Sequence, residues 1–443
     1  MRLYPFVFFA FLVSCGPAVR TGNTTTENPV ANSGTGMSSA EFSVSEVTRI
    51  EKVLSADDMQ GRGVFTPGIE KAASFIASEF ERIGLEKSAN ANGYQQAFDL
   101  IRPAFKSATA TLDEKIIEQK DIIVITTTEN LTVNEQSGYE VVTIPKGGEF
   151  FNEARKHVNA GMNRLVMVDP SHSANFPRLT NFKRQMMPSV NSTIFILGET
   201  VPSKFSISAI HDIKKAALSN VVGILPGTSR KDEYVIFSGH YDHLGIGKPL
   251  NGDSIFNGAN DDAAGITAVI MLADYFKRTG GNERTIIFAA FTAEESGGFG
   301  SRYFSQQFDP AKVMAMFNIE MIGTESKWGK NSAFITGYEK TDMGKIMEKN
   351  LAGSGFKFYP DPYPAQQLFY RSDNATLARL GVPAHTISTS KMDSEPYYHT
   401  ADDEFETLDM ANMAQIIKAI AISSRTIISG ADTPSRVNTS ELR

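Results

Sequence analysis

The sequence predicts an α/β fold, with a mixed, largely parallel central sheet flanked by helices and an inserted β-rich subdomain. From residue 220 onward, short apolar runs typical of strands alternate with a longer apolar run typical of a helix, which favours parallel βα units. Between residues 103 and 218, strand-like pieces lie between Gly, Pro and Asn clusters, as expected for a β-rich insertion. At 443 residues, 41% hydrophobic and 21% charged, the chain has ordinary globular composition.

Apolar spacing places the individual elements. It predicts helices over 45–54 and 69–83, and Gly84 is a typical C-terminal stop for the second. A third apolar helix is predicted over 266–276. The predicted strands cover residues 122–126, 165–168, 192–197, 221–225, 234–237, 285–291, 313–319 and 382–388.

The first forty residues have the pattern of an export signal followed by a linker. Arg2 precedes an apolar stretch too short to span a bilayer comfortably, which predicts a secretion signal. Cys15 is the only cysteine, so an intrachain disulfide is excluded, and LVSC resembles the bacterial lipobox, whose cysteine is lipidated. We expect a protein lipid-anchored through Cys15 in the bacterial cell envelope, facing the periplasm or the exterior. An ordinary signal peptide with a chance cysteine is the alternative.

Charge and composition divide the rest of the chain. A net charge of −7 argues against a basic nucleic-acid-binding surface, so no nucleic-acid partner is expected. The predicted organisation is a signal peptide (1–15), a flexible tether (16–40), the N-terminal part of the main domain (41–102), the β-rich insert (103–218), the main domain (219–430) and a C-terminal tail (431–443).

Five segments of the C-terminal half present metal-binding side chain types next to apolar runs. They are SGHYDHLG with His240, NGANDDAAG with Asp261, FTAEESGG with Glu294 and Glu295, FNIEMIG with Glu320, and YYHTADD with His399. Alone, each carboxylate is expected to be a turn residue or a helix N-cap. Ligand sites in α/β sheets, however, lie at the carboxyl ends of strands, and four of these segments begin where a predicted strand stops or a predicted helix starts. Together they suit two Zn²⁺-like ions that share a bridging carboxylate and a bridging water.

Side chains beside these ligands have predicted supporting roles. Asp242 is the natural acceptor for the second N–H of His240, whereas His243 is either a competing ligand or a loop histidine. Because Glu294 and Glu295 are adjacent, their side chains diverge, so one can bind metal while the other acts as general base. The hydroxyl of Tyr398 would stabilise an oxyanion, with core packing as the alternative.

The motifs GHYDHLG, GANDDAAG, AEES, NIEMIG, SDN with GVPA, and YYHTADD together resemble the M28 zinc metallopeptidases over roughly residues 220–428. The stretch GRGVFTPGIEKAASFIASEFERIGL resembles the opening of the same domain. The resemblance implies a zinc exopeptidase-like fold, with a protease-associated domain often inserted where residues 103–218 lie. It implies two zinc ions, short peptide substrates and peptide-bond hydrolysis. The implied roles are His240 and Glu320 on one ion, Glu295 and His399 on the other, Asp261 bridging, Glu294 as general base, Asp242 orienting His240, and Tyr398 at the oxyanion.

The chain departs from the family pattern at two positions, and more than one function stays open. Glu320 stands where many members have Asp, which affects geometry more than metal binding, and Asn374 replaces a histidine that is not a usual ligand. An extracytoplasmic aminopeptidase is favoured over a carboxypeptidase or dipeptidase, for which Arg371 would bind the terminal carboxylate. A single-zinc glutaminyl cyclase of the same fold and a non-catalytic binding protein are also considered. Oligomeric state and side-chain preference are not predicted.

Overall fold

A mixed sheet runs through the protein and determines where its loops meet. The structure is a computed structural model that describes residues 42–89, 91–250 and 252–442. The helices in these residues are α1 (Val44–Leu54), α2 (Pro67–Ile83), α3 (Phe150–Val158), α4 (Ala264–Thr279), α5 (Phe299–Ser305), α6 (Met343–Asn350), α7 (Asn374–Ala378) and α8 (Met410–Ile428). The strands are β1 (Glu86–Lys87), β2 (Gln95–Leu112), β3 (Lys115–Ile117), β4 (Ile122–Ile125), β5 (Asn130–Asn134), β6 (Glu140–Ile144), β7 (Arg164–Val168), β8 (Thr193–Leu197), β9 (Phe205–Leu225), β10 (Arg230–His240), β11 (Gly245–Leu250), β12 (Asp253–Phe256), β13 (Arg284–Phe291), β14 (Val313–Ile319), β15 (Ser332–Ile335), β16 (Lys357–Pro360) and β17 (Ala384–Ser388).

The centre of the sheet is parallel, and an antiparallel pairing flanks it on each side. Its main path is β16-β15-β17-β14-β10-β13-β9-β2-β3, and β10 pairs in parallel with both β13 and β14. The next neighbour, β17, is parallel to β14, whereas β9 and β15 join antiparallel to the strands beside them. The predicted mixed, largely parallel sheet flanked by helices is therefore confirmed. Because the parallel strands end at one edge, the loops after them are brought together.

Helices cover both faces of the parallel strands, which explains their continuous apolar sequences. Every residue of β13 is buried, as expected for a strand covered on two sides. Phe237 of β10 stacks on Phe276 of α4, whereas its neighbour Ile236 packs in a cluster with Phe304 of α5 and Leu377 of α7. Since successive side chains of a strand point to opposite faces, α4 lies on one face of the sheet and α5 and α7 on the other.

The first predicted helices agree closely with the structure. Helix α2 ends at Gly84, whose φ of 78° is the left-handed conformation that closes a helix, as predicted. Within the described residues, no helix combines the length and hydropathy needed to span a bilayer. The expected signal peptide, the tether and Cys15 lie outside the described residues.

The insert grows from two long strands of the main sheet. Strands β2 and β9 pair antiparallel from Gln95↔Val221 to Leu112↔Phe205, with one register shift between Phe105 and Ser107, so both strands continue through the predicted boundaries at residues 103 and 218. The predicted strand at 221–225 is only the last quarter of β9. The rest was not predicted, because exposed charged residues such as Asp212 and Lys214 interrupt the apolar pattern of the strand. A second sheet, β4-β8-β7-β6, completes the insert, and α3 joins the parallel strands β6 and β7.

Candidate metal centre

The predicted ligands meet at the edge where the parallel strands end. His240 is the last residue of β10, Glu294 and Glu295 follow the end of β13, and Glu320 follows β14 directly. Asp261 lies in the turn between β12 and α4. The register His240↔Phe291 shows that β10 and β13 end side by side. The same strand order that makes the sheet parallel therefore gathers side chains from distant parts of the sequence.

Asp261 stands at the middle of the cluster. Its Oδ1 lies 3.2 Å from Nε2 of His240, and its Oδ2 lies 3.3 Å from Nε2 of His399. The side chain is almost wholly buried, and each of its two oxygens faces a different histidine. A carboxylate with one ligand nitrogen at each oxygen has the arrangement that a bridge between two ions requires.

Two groups of candidate ligands share this carboxylate. In the first group, ligand atoms of His240, Asp261 and Glu320 all lie within 4.8 Å of one another. In the second, the same holds for His243, Asp261 and Glu295. We call them the inner and the outer position, because the side chain of His240 is 1% exposed whereas that of His399, which contacts the outer group, is 35% exposed.

The outer position has two histidines where one was assigned by resemblance. Nε2 of His399 lies 3.1 Å from Oε1 of Glu295, and Nδ1 of His243 lies 3.0 Å from the same oxygen. Nδ1 of His243 is also 4.0 Å from Oδ2 of Asp261. The structure therefore brings the competing loop histidine as close to Glu295 as the predicted ligand His399.

The centre confines many acidic groups. The carboxylates at or beside it, all buried or half-buried, are Asp242, Asp261, Asp262, Glu294, Glu295, Glu320, Asp373 and Asp403. Burial raises the pKa of Asp242 and of Glu320 to about 7, and neighbouring acidic charges add to this effect. Burial opposes ionisation of Glu295, but contacts with His243 and His399 outweigh it and lower its pKa to about 2. So many carboxylates held away from water call for cations to neutralise them.

Two polar atoms of the inner position lack a hydrogen bond. Nε2 of His240 and Oε2 of Glu320 are buried and make none within residues 42–89, 91–250 and 252–442. Such atoms are costly to bury unless something else binds them. Imidazole nitrogen and carboxylate oxygen are the ligand types of zinc sites in enzymes, so the residues present fit zinc.

Asp242 acts differently from the prediction. Nδ1 of His240 lies 3.1 Å from the backbone carbonyl of Asp242, whereas the carboxylate Oδ1 is 3.8 Å away. The carboxylate instead accepts hydrogen bonds from the backbone N–H groups of Glu294 at 3.0 Å and Glu295 at 3.3 Å. The residue thus holds His240 through its main chain and the Glu294–Glu295 turn through its side chain.

Glu294 and Tyr398 are both placed beside the ligands. Burial raises the pKa of Glu294 well above its ordinary value, and the acidic groups Asp373, Glu320 and Glu295 raise it further. The ring of Tyr398 stacks on that of His399, with centroids 3.9 Å apart. Burial and nearby acidic groups raise the pKa of Tyr398, so its hydroxyl keeps its proton and remains a hydrogen-bond donor.

Asp262, which follows Asp261 in the NGANDDAAG segment, links three ligand loops through its carboxylate. Its carboxylate accepts from the backbone N–H groups of His240 at 3.1 Å, Gly265 at 3.0 Å and Met321 at 3.0 Å. A Cβ on Gly265 would lie 2.4 Å from the Asp262 carboxylate, so this approach requires glycine. The Asp-Asp doublet before an apolar helix was the available signal.

Arg62 and Asp403 fix the turn that carries Asp261. Arg62 is fully buried and donates to the carbonyl oxygens of Tyr241 (2.8 Å), Gly258 (2.7 Å), Leu54 and Asn257. Asp403 accepts from the backbone N–H of Asp261 at 3.0 Å. Sequence analysis missed both residues, because it cannot show that an arginine in a Gly-rich loop is buried beneath a distant turn.

Backbone strain marks the same loops. Ala293, Met321 and His399 have φ values of 57°, 53° and 57°, in the left-handed region that residues other than glycine rarely adopt. His399 is a predicted ligand, Ala293 precedes the predicted general base, and Met321 follows a predicted ligand. Strain of this kind persists where the surrounding structure dictates the conformation, as at functional sites.

Comparison with known sequences finds that this region is similar to a peptidase family. The model of peptidase family M28 matches residues 220–423. A probable leucine aminopeptidase of Trichophyton verrucosum is 27% identical over 208 residues, which cover 45% of this chain and 54% of that protein. Leucine aminopeptidase 1 of Pyrenophora tritici-repentis is 24% identical over 307 residues, 64% of this chain and 75% of its own. The chain thus spans about half the length of the first of these relatives.

Solved structures share the fold. An aminopeptidase from Aneurinibacillus sp. strain AM-1 superposes with a TM-score of 0.52 at 16% identity, covering 87% of this chain and 94% of its own. A zinc aminopeptidase from Bacillus subtilis gives a TM-score of 0.53 at 15% identity, covering 87% and 95%. The region that matches the model of peptidase family M28, residues 220–423, carries all of the candidate ligands.

Proposed function

We propose that this protein is an extracytoplasmic di-zinc exopeptidase, and specifically an aminopeptidase. The observation that carries the proposal is Asp261, whose two oxygens each face a different histidine and belong to a different ligand group. A single-zinc cyclase would need only one of these groups. The probable leucine aminopeptidases among the relatives support the choice of reaction.

The residues around the centre divide the work of peptide hydrolysis. Zinc bound there would supply Lewis acidity, activating water and polarising the scissile carbonyl. Glu294, held in place by Asp242, takes the proton of the attacking water and delivers it to the leaving amine. Tyr398 donates a hydrogen bond to the oxygen that becomes negative. Arg62, Asp262 and Asp403 hold the loops and take no part in the proton transfers.

A recess beside the inner position would contact the side chain of the residue to be removed. Its lining is mixed, because Met321, Phe334, Leu368 and Met392 are apolar, whereas Glu320, Tyr398 and several serine and threonine residues are polar. Arg371 also lines it, and its guanidinium is exposed and 3.4 Å from the Gln366 side chain. The four apolar side chains favour residues such as leucine, whereas Arg371 is the feature that favours a carboxypeptidase.

One assay separates these reactions. Metal-loaded protein is given free dipeptides, N-acetylated peptides and C-amidated peptides with leucine at the first position. We expect cleavage of the C-amidated peptides, no cleavage of the N-acetylated ones, and two zinc ions per chain by elemental analysis. The reverse preference would establish a carboxypeptidase. Ammonia release from N-terminal glutamine without peptide cleavage, with one zinc, would establish the cyclase.

We also propose that Cys15 carries a lipid anchor that keeps the enzyme at the cell envelope. The support is the LVSC string after a short apolar stretch, followed by residues rich in Ser, Thr, Asn and Gly. In a bacterial host, Cys15→Ser should move the protein from the membrane fraction to the soluble one. A variant that stays with the membranes would contradict lipidation.

A further inference from the structure

A large cleft lies between the insert and the main domain. Its volume is about 680 Å³. The insert contributes one wall through residues of α3 and of the segment 181–193. The main domain contributes the other through Ser296, Gly297 and residues of α5.

Three arginines line this cleft, and no carboxylate does among the described lining residues. They are Arg155 of α3, Arg184 of the segment 181–193 and Arg302 of α5. In the described part of the chain, none of the three lies within ion-pairing distance of an acidic side chain, although several arginines elsewhere in it have such a partner. Three unpaired cations around one cavity are unexpected in a chain of net charge −7.

The cleft adjoins the candidate metal centre through one turn of the chain. Ser296 and Gly297, on its rim, follow directly after Glu295, and the N–H of Gly297 donates to the carbonyl of Glu294 at 2.8 Å. The Arg302 guanidinium reaches back to the carbonyl of Gly297 at 3.4 Å. A peptide bound at the centre therefore has a route along this turn into the cleft.

The remaining lining groups suit an extended peptide. Phe299 of the main domain and Met187 of the segment 181–193 belong to one apolar cluster. Side-chain amides of Asn159, Asn181, Gln185 and Asn191 line the same space, and Oε1 of Gln185 is buried without a hydrogen-bond partner in the described residues. Amides offer both donors and acceptors to a peptide main chain.

We propose that this cleft binds carboxylates of the peptide substrate downstream of the bond that is cut, so that the enzyme prefers acidic peptides. The inference rests on the proposed peptidase function. Arginine presents a planar fork of donors that matches a carboxylate, and no acidic residue among the described lining residues competes for it. The carboxylate is supplied by an Asp or Glu side chain or by the C-terminus of a short peptide.

The test compares matched peptides on the metal-loaded, full-length protein. The series keeps leucine first and alanine elsewhere, with Glu or Gln at the second, third or fourth position and an amidated C-terminus. A further pair has only alanine after leucine and differs in a free or amidated C-terminus. We expect kcat/KM to be about threefold to tenfold higher for Glu than for Gln at the preferred position, and the ratio to fall in about 0.5 M NaCl.

The double variant Arg155→Gln with Arg184→Gln should bring the Glu/Gln ratio close to one. Arg178→Gln is the matched control, because Arg178 is an exposed arginine of the insert that lies over Phe151 and does not line the cleft. A wild-type ratio near one for every pair, or a ratio that survives in the double variant, would overturn the proposal. A preference only in the free-terminus pair would assign the cleft to the C-terminal carboxylate.

Failure of the proposed function gives a different result. If no peptide of the series is cut, binding of an N-acetylated, C-amidated Glu peptide and its Gln counterpart is measured by fluorescence anisotropy. Tighter binding of the Glu peptide, lost in the double variant, would still support the cleft. Equal binding of both peptides would refute it.

Discussion

The metal centre and the insert both bury ionisable side chains, but they arrange them in opposite ways. The centre gathers carboxylates and histidines from five distant segments around Asp261. In the insert, Lys183 is 8% exposed, with Nζ 3.2 Å from the carbonyl of Val124 and 3.4 Å from Nε2 of His211. Its charge faces the ring of Phe105, and no carboxylate of the described residues pairs with it.

The two regions resolve the cost of burial differently. In the insert, burial lowers the pKa of Lys183 to about 8, and burial with the nearby lysine lowers that of His211 to about 4. His211 is therefore neutral near pH 7, whereas Lys183 keeps its proton there and loses it only as the pH rises past about 8. At the centre, histidines and carboxylates converge with buried atoms left without hydrogen bonds in the part of the chain that the structure describes. A candidate metal site therefore differs from other buried ionisable groups in that histidines and carboxylates converge there; burial alone does not distinguish the two.

Removal of the shared carboxylate should have the largest effect. We expect Asp261→Ala to lose metal from both positions and to lower kcat/KM by about 10³-fold or more, because both ions depend on it. Elemental analysis and peptide kinetics measure this. Asp212→Ala, which removes an exposed aspartate of β9, is the control. Two equivalents of zinc retained by Asp261→Ala would show that Asp261 is not the bridge.

Glu294→Gln should separate chemistry from metal binding. The amide keeps the shape of the side chain but cannot accept the proton, so we expect kcat to fall by about 10²- to 10⁴-fold with metal content unchanged. The exposed Glu199 provides the control Glu199→Gln. Near-normal turnover in Glu294→Gln would remove the residue from the role of general base.

His243→Ser should sharpen the difference between the inner and outer positions. Because Nδ1 of His243 is 3.0 Å from Glu295, we expect the affinity for the outer ion to fall by about tenfold while the inner ion is retained. The affinity for the ion at each position is measured by competition with a chelator, which is followed through the visible spectrum of the Co²⁺-loaded protein. His172→Ser in the insert serves as the control. Unchanged affinity at both positions would make His243 a loop residue only.

Lys183→Met should have the smallest effect, and unlike the other substitutions it should improve a property, the stability of the fold. The folded protein holds the pKa of Lys183 near 8, below its ordinary value, so the unfolded chain binds more protons between those two values. The cost of burial is therefore fully present below about pH 8 and declines as the pH rises further. We expect Lys183→Met to raise the free energy of unfolding by about 1–2 kcal/mol near pH 7. This net gain already subtracts the hydrogen bond to the Val124 carbonyl, which the substitution removes.

Urea unfolding near pH 7 and near pH 9.5 checks this prediction. The advantage of Lys183→Met should shrink at the higher pH, as the wild-type lysine becomes neutral in the folded state. Lys106→Met, at an exposed lysine of β2, should show no such dependence. An advantage of the same size at both pH values would mean that packing, and not charge, is responsible.

The sequence predicted the catalytic half well, because its strands are buried on both faces and read as continuous apolar runs. Strand β14 has its predicted bounds, and β13 begins one residue early. The ligand loops were found because each follows such a run. Their assignment to ions came from resemblance, and it stays a prediction.

Some features depend on contacts that no local pattern reveals. The exposed ladder of β2 and β9 alternates charged and apolar residues around Pro103, which hid its length. The burial of Arg62 follows from turns nearly two hundred residues away. The dual role of Asp242 depends on which of its oxygen atoms faces His240, a choice made by the fold of the loop.

The long pairing of β2 and β9 affects which parts of the sequence can change during evolution. The far ends of these strands support the insert, while β9 at its near end is registered against β13, with Val221 opposite Ala290. Segments inserted beyond the far ends of β2 and β9 can be replaced, extended or deleted without shifting that register. The hairpin thus separates the insert, which is free to diversify, from the sheet that carries the candidate metal centre, whose spacing must stay constant.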